Sequence, residues 1–573
     1  MSDKRWFSAL KWIVWMVLSI KAFDYFLAKE PYPTGDGIEY VLTTEAWKNH
    51  ASPDIRDSDY ESFKSDFLQH QSWESNYKRA AFDEVEAFLR EKEPKRKDYG
   101  GFYRNSQQHV YGYHFVFYSF VNVPARLLTV VLGIHPIKAF VLTNVLIWSL
   151  FFAWLLSWKG EERKTAIVLG LLVFFSASFY YTTWTHPETL TVVLVLTSML
   201  CLSRQRYHAA LLFCGLATLQ NQPLSFLFLW MYLLVWNHYR FQWRPMLLYL
   251  GYGVLVFVPS LYFYGLFGTT SLIKDAGYLS FENVTANRVF GFFFDLNQGM
   301  VLGIGLFLFI YFFLVLFRVV EIIKSRKTNT WDFLPLVILA MTLLVSCMSN
   351  WNHGMAVVNR YAVWMSVPLM FHGYVLLKEL RLSWRISLTS FGALSQVGLW
   401  YIHLPYNQFD WSNLQHMPLA KWTLSHYPAY YNPDPQIFIA RTNQVFDFSK
   451  NSSPILYFNE KNQLQKIAVH ESNVDTLKHF GYTPRPMSEY DCVRSGKERW
   501  YYINDFKERS SKSSAEVLRM IQRSEMNRIL LEMKANPQWM ESLEEKASKA
   551  GISIERQMEK DAEFIFNERH PKY

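Results

Sequence analysis

The sequence predicts a mainly α-helical, polytopic membrane bundle with a small α+β domain outside the bilayer, and three observations carry that reading. Residues ~1–405 alternate long apolar runs with short charged loops, and runs of about 20 residues match the thickness of a bilayer core. Lys and Arg concentrate in the loops between those runs, where they orient a membrane protein. Beyond ~405 the chain becomes polar and mixed in charge. The 573 residues are 50% hydrophobic and 18% aromatic, an average over two unlike populations.

Candidate spanning helices lie near 7–28, 136–157, 163–184, 188–203, 207–220, 223–236, 245–266, 300–321, 333–349, 361–379 and 385–404, about eleven in all. The first, Trp6 to Ala28, follows basic residues and is too long for a signal-peptide core. Lys29-Glu30-Pro31 comes next, with no small-residue cleavage pattern, so it reads as a retained helix. The apolar stretch Tyr111–Gly133 is long enough to span but holds Asn122-Val-Pro-Ala-Arg126. Laid in plane at the outer surface, with the N-terminus inside, it leaves one set of loops cytoplasmic: Lys159/Arg163/Lys164, Arg204/Arg206, Arg240/Arg244, Lys324/Arg326/Lys327 and Lys378/Arg381/Arg385. If it spans, that whole set inverts.

In the in-plane arrangement every unusual polar motif faces outward, together with the C-terminal region 406–573. The outer loop 29–110 has helix-like periodicity at Tyr60–Leu68 and Phe82–Arg90. Residues ~435–505 hold strand-like runs, Ile437-Phe-Ile-Ala and Ile455-Leu-Tyr-Phe. Residues ~512–570 have helical composition, interrupted at Asn536-Pro.

Several function classes are excluded. Four cysteines, three of them inside apolar segments, make no disulfide framework and no C-x-x-C spacing. The net charge of +9 reads as a topology signal and not as nucleic-acid binding. No phosphate-cradling glycine motif occurs in a strand–helix setting, which argues against a nucleotide-powered enzyme. His109, His114 and His353 are scattered without paired spacing, which is weak evidence for a metal site and more often marks simple hydrogen-bonders, and a divalent metal stays open. An enzyme working outside without nucleotides needs an activated donor already in the membrane.

The candidate chemistry lies in four motifs. In Pro31-Tyr-Pro-Thr-Gly-Asp36-Gly-Ile-Glu39-Tyr, the Asp-x-x-Glu spacing suits a capping box. A carboxylate at membrane depth is also expensive unless used, and Asp36 could serve as general base. The readings are compatible if Glu39 caps and Asp36 reacts. Thr185-His186-Pro187-Glu188 suits a helix N-terminus, or a site that pairs His186 with Glu188. In Asn359-Arg360-Tyr361 the planar guanidinium suits a phosphate, or else snorkels to the interface. Arg288, before Phe290-Gly-Phe-Phe-Phe-Asp-Leu-Asn-Gln-Gly299, is a second phosphate candidate.

In their order and spacing these motifs, with the in-plane stretch beginning near Gln108-His109-Val-Tyr, resemble a polytopic glycosyltransferase of the GT-C superfamily. The similarity covers residues 1–405 and is to bacterial members that use polyprenyl-phosphate sugars. It implies an inverting transfer from a polyprenyl-phosphate sugar to a hydroxyl on a glycan, lipid or protein acceptor. It also implies catalysis by Asp36 with Glu39 and Glu188, and donor or substrate contacts from Arg288, Arg360, Tyr361, His186 and His109. No cofactor and no nucleic-acid partner are implied, and the site and C-terminus would face the periplasmic side of a bacterial inner membrane. Many members have adjacent Asp-Glu, where this chain has Asp36-Gly37 and then Glu39. Many place a basic residue after a Leu-Ala-Thr helix, where this chain reads Leu216-Ala-Thr-Leu-Gln-Asn-Gln-Pro223, leaving Arg288 or Arg360 to contact the phosphate. Two rivals remain. A ligase or polymerase of lipid-linked oligosaccharides would lean on late-loop arginines, and a transporter or flippase would show paired repeats and midplane charges.

Overall fold

The computed structural model describes residues 2–29, 36–70, 79–91, 98–351, 358–403, 414–444, 454–484 and 486–569. The protein is mainly helical, with a small strand-containing C-terminal region. It divides into two compact units, Met1–Met417 and Pro418–Tyr573.

The first unit opens with α1 (Ser2–Leu27), followed by α2 (Gly37–His50), α3 (Asp57–Leu68) and α4 (Arg79–Leu89). A three-stranded antiparallel sheet comes next: β1 (Asp98–Tyr99), β2 (Phe102–Arg104) and β3 (Val110–Gly112). These strands are too short to carry an alternating pattern and have no signature in the sequence. Helix α5 (Phe117–Leu132) has 16 residues, about 24 Å at 1.5 Å per residue and short of a ~30 Å bilayer core. Its buried face carries Ser119, Asn122, Arg126 and Thr129, while Leu127, Leu128, Val130 and Val131 are exposed. Arg126 lies between Glu45 and Asp66, so polar groups point into the protein and apolar ones away from it.

Then come α6 (Lys138–Ser157), α7 (Glu161–Phe174), α8 (Ser178–Tyr181), α9 (Glu188–Ser203), α10 (Tyr207–Thr218), α11 (Ser225–His238), α12 (Trp243–Phe267), α13 (Leu272–Asp275) and α14 (Ala286–Phe294). The unit finishes with α15 (Val301–Ile304), α16 (Phe307–Ser325), α17 (Leu334–Val345), α18 (Arg360–Lys378) and α19 (Leu382–His403). Helix α1 is tied to α6 by Lys11 Nζ donating to the Leu156 carbonyl (2.8 Å) and Trp15 Nε1 to that of Ser149 (2.9 Å). Helix α9, buried from Glu188 to Leu202, is the centre against which α10 and α18 pack.

Two runs expected as single helices are broken. The run 163–184 stops after α7, where the Ser176 and Ser178 hydroxyls both donate to the Val173 carbonyl. The run 300–321 breaks at Gly305, whose φ of +58° favours glycine and where a Cβ would press on the Ser395 side chain. Helix α6 and Met246–Phe267 of α12 are long and apolar enough to cross a membrane by length and composition, with mean hydropathies of 2.1 and 1.8. Phe117–Leu132, Glu188–Ser203, Tyr207–Thr218 and Thr330–Val345 are shorter apolar helices. Of the residues in the most apolar stretch of Met246–Phe267 only 22% are buried, and Leu248 and Phe257 are 72% and 63% exposed.

The second unit holds α20 (Pro418–His426) and α21 (Pro435–Asn443), then β4 (Ile455–Phe458), β5 (Leu464–His470), β6 (Asp491–Ser495) and β7 (Glu498–Ile503). The strands form one antiparallel sheet in the order β4-β5-β7-β6. Ile437-Phe-Ile-Ala is helical and not the expected strand. Asp434 accepts from Gln436 N and Pro435 opens the helix, a capped start that outweighs a short β-prone run. Helix α22 (Phe506–Arg509) leads into α23 (Ser514–Ala535), α24 (Pro537–Ala550) and α25 (Ile554–Arg569). The last three share a core of Ile529, Met533, Leu543, Met558 and Ala562, and α23 and α24 part at Asn536-Pro537, where Asn536 caps α24.

Candidate active site

Asp36 sits at the N-cap of α2, yet its side chain makes no capping hydrogen bond. The capping box expected from Asp-x-x-Glu is not formed, because both carboxylates are drawn elsewhere. Glu39 Oε2 accepts from Tyr113 N (3.1 Å) and His114 N (3.3 Å) and lies 3.1 Å from His114 Nδ1. The other ring nitrogen of His114, Nε2, is 3.3 Å from Asp36 Oδ2. Arg360 Nη1 donates to that same Oδ2 at 2.8 Å. The result is a chain in which carboxyl groups alternate with nitrogen bases: Glu39, His114, Asp36, Arg360.

Local sequence explains how these groups meet. β3 leads into Tyr113-His114 and brings them alongside the first turn of α2. Gly101, at φ +98°, leaves the space that Glu39 Oε1 fills, since a Cβ there would collide with it. Gly37 likewise admits the Thr185 hydroxyl. Arg360 heads α18, where the Asn359 side chain accepts from Tyr361 N at 2.9 Å. Asn359 N donates to the Gln298 carbonyl at 2.7 Å, and Gln298 is set by an Asx turn in which Asp295 Oδ1 accepts from Asn297 N and Gln298 N. The Phe290–Gly299 segment thereby positions the start of α18.

Burial would favour the neutral form of Asp36, but His114, Arg360 and His186 outweigh it and hold its carboxyl well below the usual range. Burial pushes Glu39 up to about 7, against the opposing pull of His114. For His114, burial disfavours the cation, yet Glu39 and Asp36 prevail and raise it above the ordinary histidine value. Access separates the carboxylates. The Asp36 side chain is 31% exposed and that of Glu39 4%, while Glu188 is 3% exposed. Asp36 is the one a substrate can touch.

Glu188 opens α9 behind Pro187, within electrostatic reach of Arg360, Asp36 and His114. Among the described residues its Oε2 has no hydrogen-bond partner. Buried His186 packs its ring against Tyr40 (5.6 Å) and Trp184 (5.1 Å). Tyr361 lies with its ring 5.4 Å from the Arg360 guanidinium. Asp36, Glu39, His186, Glu188, Arg360 and Tyr361 are thus gathered in one place.

Two further expected residues are held by other contacts. His109 is exposed in the β2–β3 turn, held by Asn105. Arg288 is buried, with Nη1 donating to the Met348 carbonyl (2.7 Å) and the guanidinium 5.2 Å from the Trp351 ring, so it braces a turn. His353 lies outside the described residues. In the stretch that lacks a basic residue, Gln220 Nε2 donates to the Tyr40 hydroxyl (3.2 Å) and Asn221 Nδ2 to Thr191 Oγ1 (2.8 Å).

No protein-family model, curated protein or solved structure matches the chain.

Among the described residues, Asp36, Glu39 and His114 offer three ligand atoms within 4.8 Å of one another. They fit an ion-pair chain better than a metal cradle. Two backbone N–H groups occupy Glu39 Oε2, and a dication on Asp36 Oδ2 would meet the Arg360 guanidinium on the same oxygen. His114 is the residue that sequence reading undervalued. It belongs to no spaced motif, and only the path of the chain after β3 brings its ring between the two carboxylates.

Proposed function

We propose that this chain is an integral membrane glycosyltransferase that moves a sugar from a polyprenyl-phosphate donor to a hydroxyl acceptor on the outer face. The observation that carries the reading is the pairing of Asp36, the accessible carboxylate of a buried charged cluster, with Arg360 at 2.8 Å. Transfer from a lipid phosphate needs a base beside the attacking hydroxyl and a fixed cation beside the leaving phosphate. These two residues supply that combination within one contact.

In this reading Asp36 removes the acceptor proton through Oδ1, since both of its contacts among the described residues go to Oδ2. The acceptor oxygen then attacks the anomeric carbon and the lipid phosphate leaves toward Arg360, a single displacement that inverts the centre. Glu39 and Glu188 shape the field from buried positions.

The membrane placement completes the reading. About eleven spans set the bundle in the bilayer, with α5 lying in plane at the outer surface. Supporting this, the apolar faces of α5, α12 and α16 are turned outward, with Val131 80%, Leu248 72% and Phe313 67% exposed. Surfaces of that kind mark contact with lipid or with partners. The second unit serves as a packing or acceptor-guiding domain without catalytic residues.

The test is transfer by protein reconstituted in liposomes with polyprenyl-phosphate sugars and envelope acceptors. Wild-type protein should release polyprenyl phosphate and form a glycoside of inverted configuration, and absence of release with every donor counts against the proposal.

A further inference from the structure

As the structure stands, Asp36 is held by two nitrogen groups on one oxygen, the Arg360 guanidinium through Nη1 at 2.8 Å and His114 Nε2 at 3.3 Å. A carboxylate so stabilised is a poor proton acceptor, because a general base works best when its pKa lies near the working pH. The same guanidinium is the cation expected to meet the donor phosphate. Arg360 therefore faces two anions with one planar fork.

We infer that Arg360 is exchanged between them: a lipid phosphate entering the site takes the guanidinium from Asp36, and His114, clamped by Glu39, keeps Asp36 in place as the base. This rests on the proposed function and adds its regulation, namely that the donor arms the base and so must bind before the acceptor.

Three features support the exchange. First, an arginine carries five N–H donors in a fixed fork, and among the described residues Asp36 accepts from Nη1 alone. A phosphate can engage two of the fork's N–H groups at once, which a contact through Nη1 alone does not match. Second, a phosphate placed beside an ionised and still-paired Asp36 would set two anions side by side near Glu188, already within electrostatic reach. Moving the guanidinium to the phosphate relieves that repulsion. Third, His114 is built to stay. Glu39 Oε2 receives both its backbone N–H and that of Tyr113 and faces its Nδ1. Tyr113 and Tyr40 pack their rings at 4.1 and 5.6 Å from its own. His114 is thus a positioning residue that holds Asp36 after Arg360 lets go, and the loss of one cation leaves Asp36 the stronger base.

The test is binding, which needs no acceptor. Wild-type, Asp36→Asn, Asp36→Ala and Arg360→Ala proteins in nanodiscs are titrated with a C55 polyprenyl phosphate, with phosphatidylglycerol as control lipid. If Asp36 competes for Arg360, both Asp36 variants bind polyprenyl phosphate more tightly than wild type, by about 5-fold or more, the usual scale of coupling between sites. Arg360→Ala binds it more weakly. Equal or weaker binding by both Asp36 variants, with Arg360→Ala still impaired, overturns the exchange and leaves the proposed function standing. No preference of wild type for polyprenyl phosphate over phosphatidylglycerol overturns both. The role of His114 is read from a double-mutant cycle. His114→Asn should weaken phosphate binding when Asp36 is present and have little effect in the Asp36→Asn background. An equal loss in both backgrounds would mean that His114 touches the phosphate itself and would overturn its positioning role.

Discussion

Asp36 and Arg360 are 324 positions apart in the chain and meet through a 2.8 Å hydrogen bond from Nη1 to Oδ2. The contact joins the N-cap of α2 to the first residue of α18. It replaces the local explanation of each motif, because Asp36 does not cap its helix and Arg360, 8% exposed, does not snorkel. A buried guanidinium and a half-exposed carboxylate are kept together by the surrounding cluster and not by their own helices.

Asp36→Asn separates chemistry from structure. Asn is as good an N-cap as Asp, and the Asp36 side chain makes no cap bond to lose. The variant should insert and fold like wild type while transfer falls by about 10²–10⁴-fold, the usual contribution of a general base. Initial rates measured in liposomes check this. An active Asp36→Asn beside a dead Arg360→Ala would point instead to an oligosaccharide ligase.

Glu39→Gln should alter the pH profile. Gln keeps a carbonyl oxygen for the Tyr113 and His114 amides but removes the charge that raises His114. Without it, His114 faces Asp36, Arg360 and the rings of Tyr40 and Tyr113. An anion beside an imidazolium raises its pKa, so removing one lowers it. The alkaline limb of activity should move to lower pH, and a limb that stays in place would contradict the role given to Glu39.

The motifs that stand out in the sequence do so because charge in an apolar setting is costly. Asp36, Glu188 and Arg360 were legible for that reason. Their partners were not. The Asp-x-x-Glu spacing that suggests a capping box equally fits two carboxylates reaching opposite nitrogens of one histidine. Arg288 and Arg360 read alike as phosphate candidates, and only the fold gives the Met348 carbonyl to one and Asp36 to the other. The α-helical character, the helices of the outer loop and the break at Asn536-Pro537 follow from periodicity and capping. The strand expected at Ile437 is a helix because the capped Asp434-Pro435 start outweighs the β-propensity of a short run. Among the described residues, two helices are long and apolar enough to cross a membrane by length and composition, against about eleven expected, and breaks at Gly305 and around Ser176 divide two of the expected runs.

Gly101→Ala should reproduce part of the Glu39 effect. The residue has φ +98° and its missing Cβ is the space used by Glu39 Oε1. Backbone strain of this kind costs roughly 1–3 kcal/mol, and the displaced carboxylate should release His114. Gly100→Ala is the control, since it also has positive φ but nothing within 4 Å of a Cβ. Thermal unfolding should report a loss for both variants, and transfer assays a loss for Gly101→Ala alone. Equal activity of the two would count against the Glu39–His114 clamp.

Lys466→Met tests the second unit. Lys466 is buried on β5, with Nζ donating to the Pro428 carbonyl, Asn432 Oδ1 and Asn504 Oδ1 at 2.5, 2.5 and 2.8 Å. Methionine fills similar space but leaves three part-buried acceptors without this donor, at about 1–3 kcal/mol in all. Unfolding of the C-terminal unit should shift to lower denaturant while the site residues keep their activity per folded molecule. An unchanged midpoint would contradict the bracing role given to this lysine.

The account depends most on Asp36 as the base of a transfer from lipid phosphate. The direct measurement is single-turnover release of polyprenyl phosphate from radiolabelled polyprenyl-phosphate sugars, comparing wild type with Asp36→Asn at equal donor occupancy. The account predicts release by wild type with the label appearing in a new glycoside, and release at least about 100-fold slower in the variant. Equal release by the two proteins, or none by wild type with any donor, would contradict it.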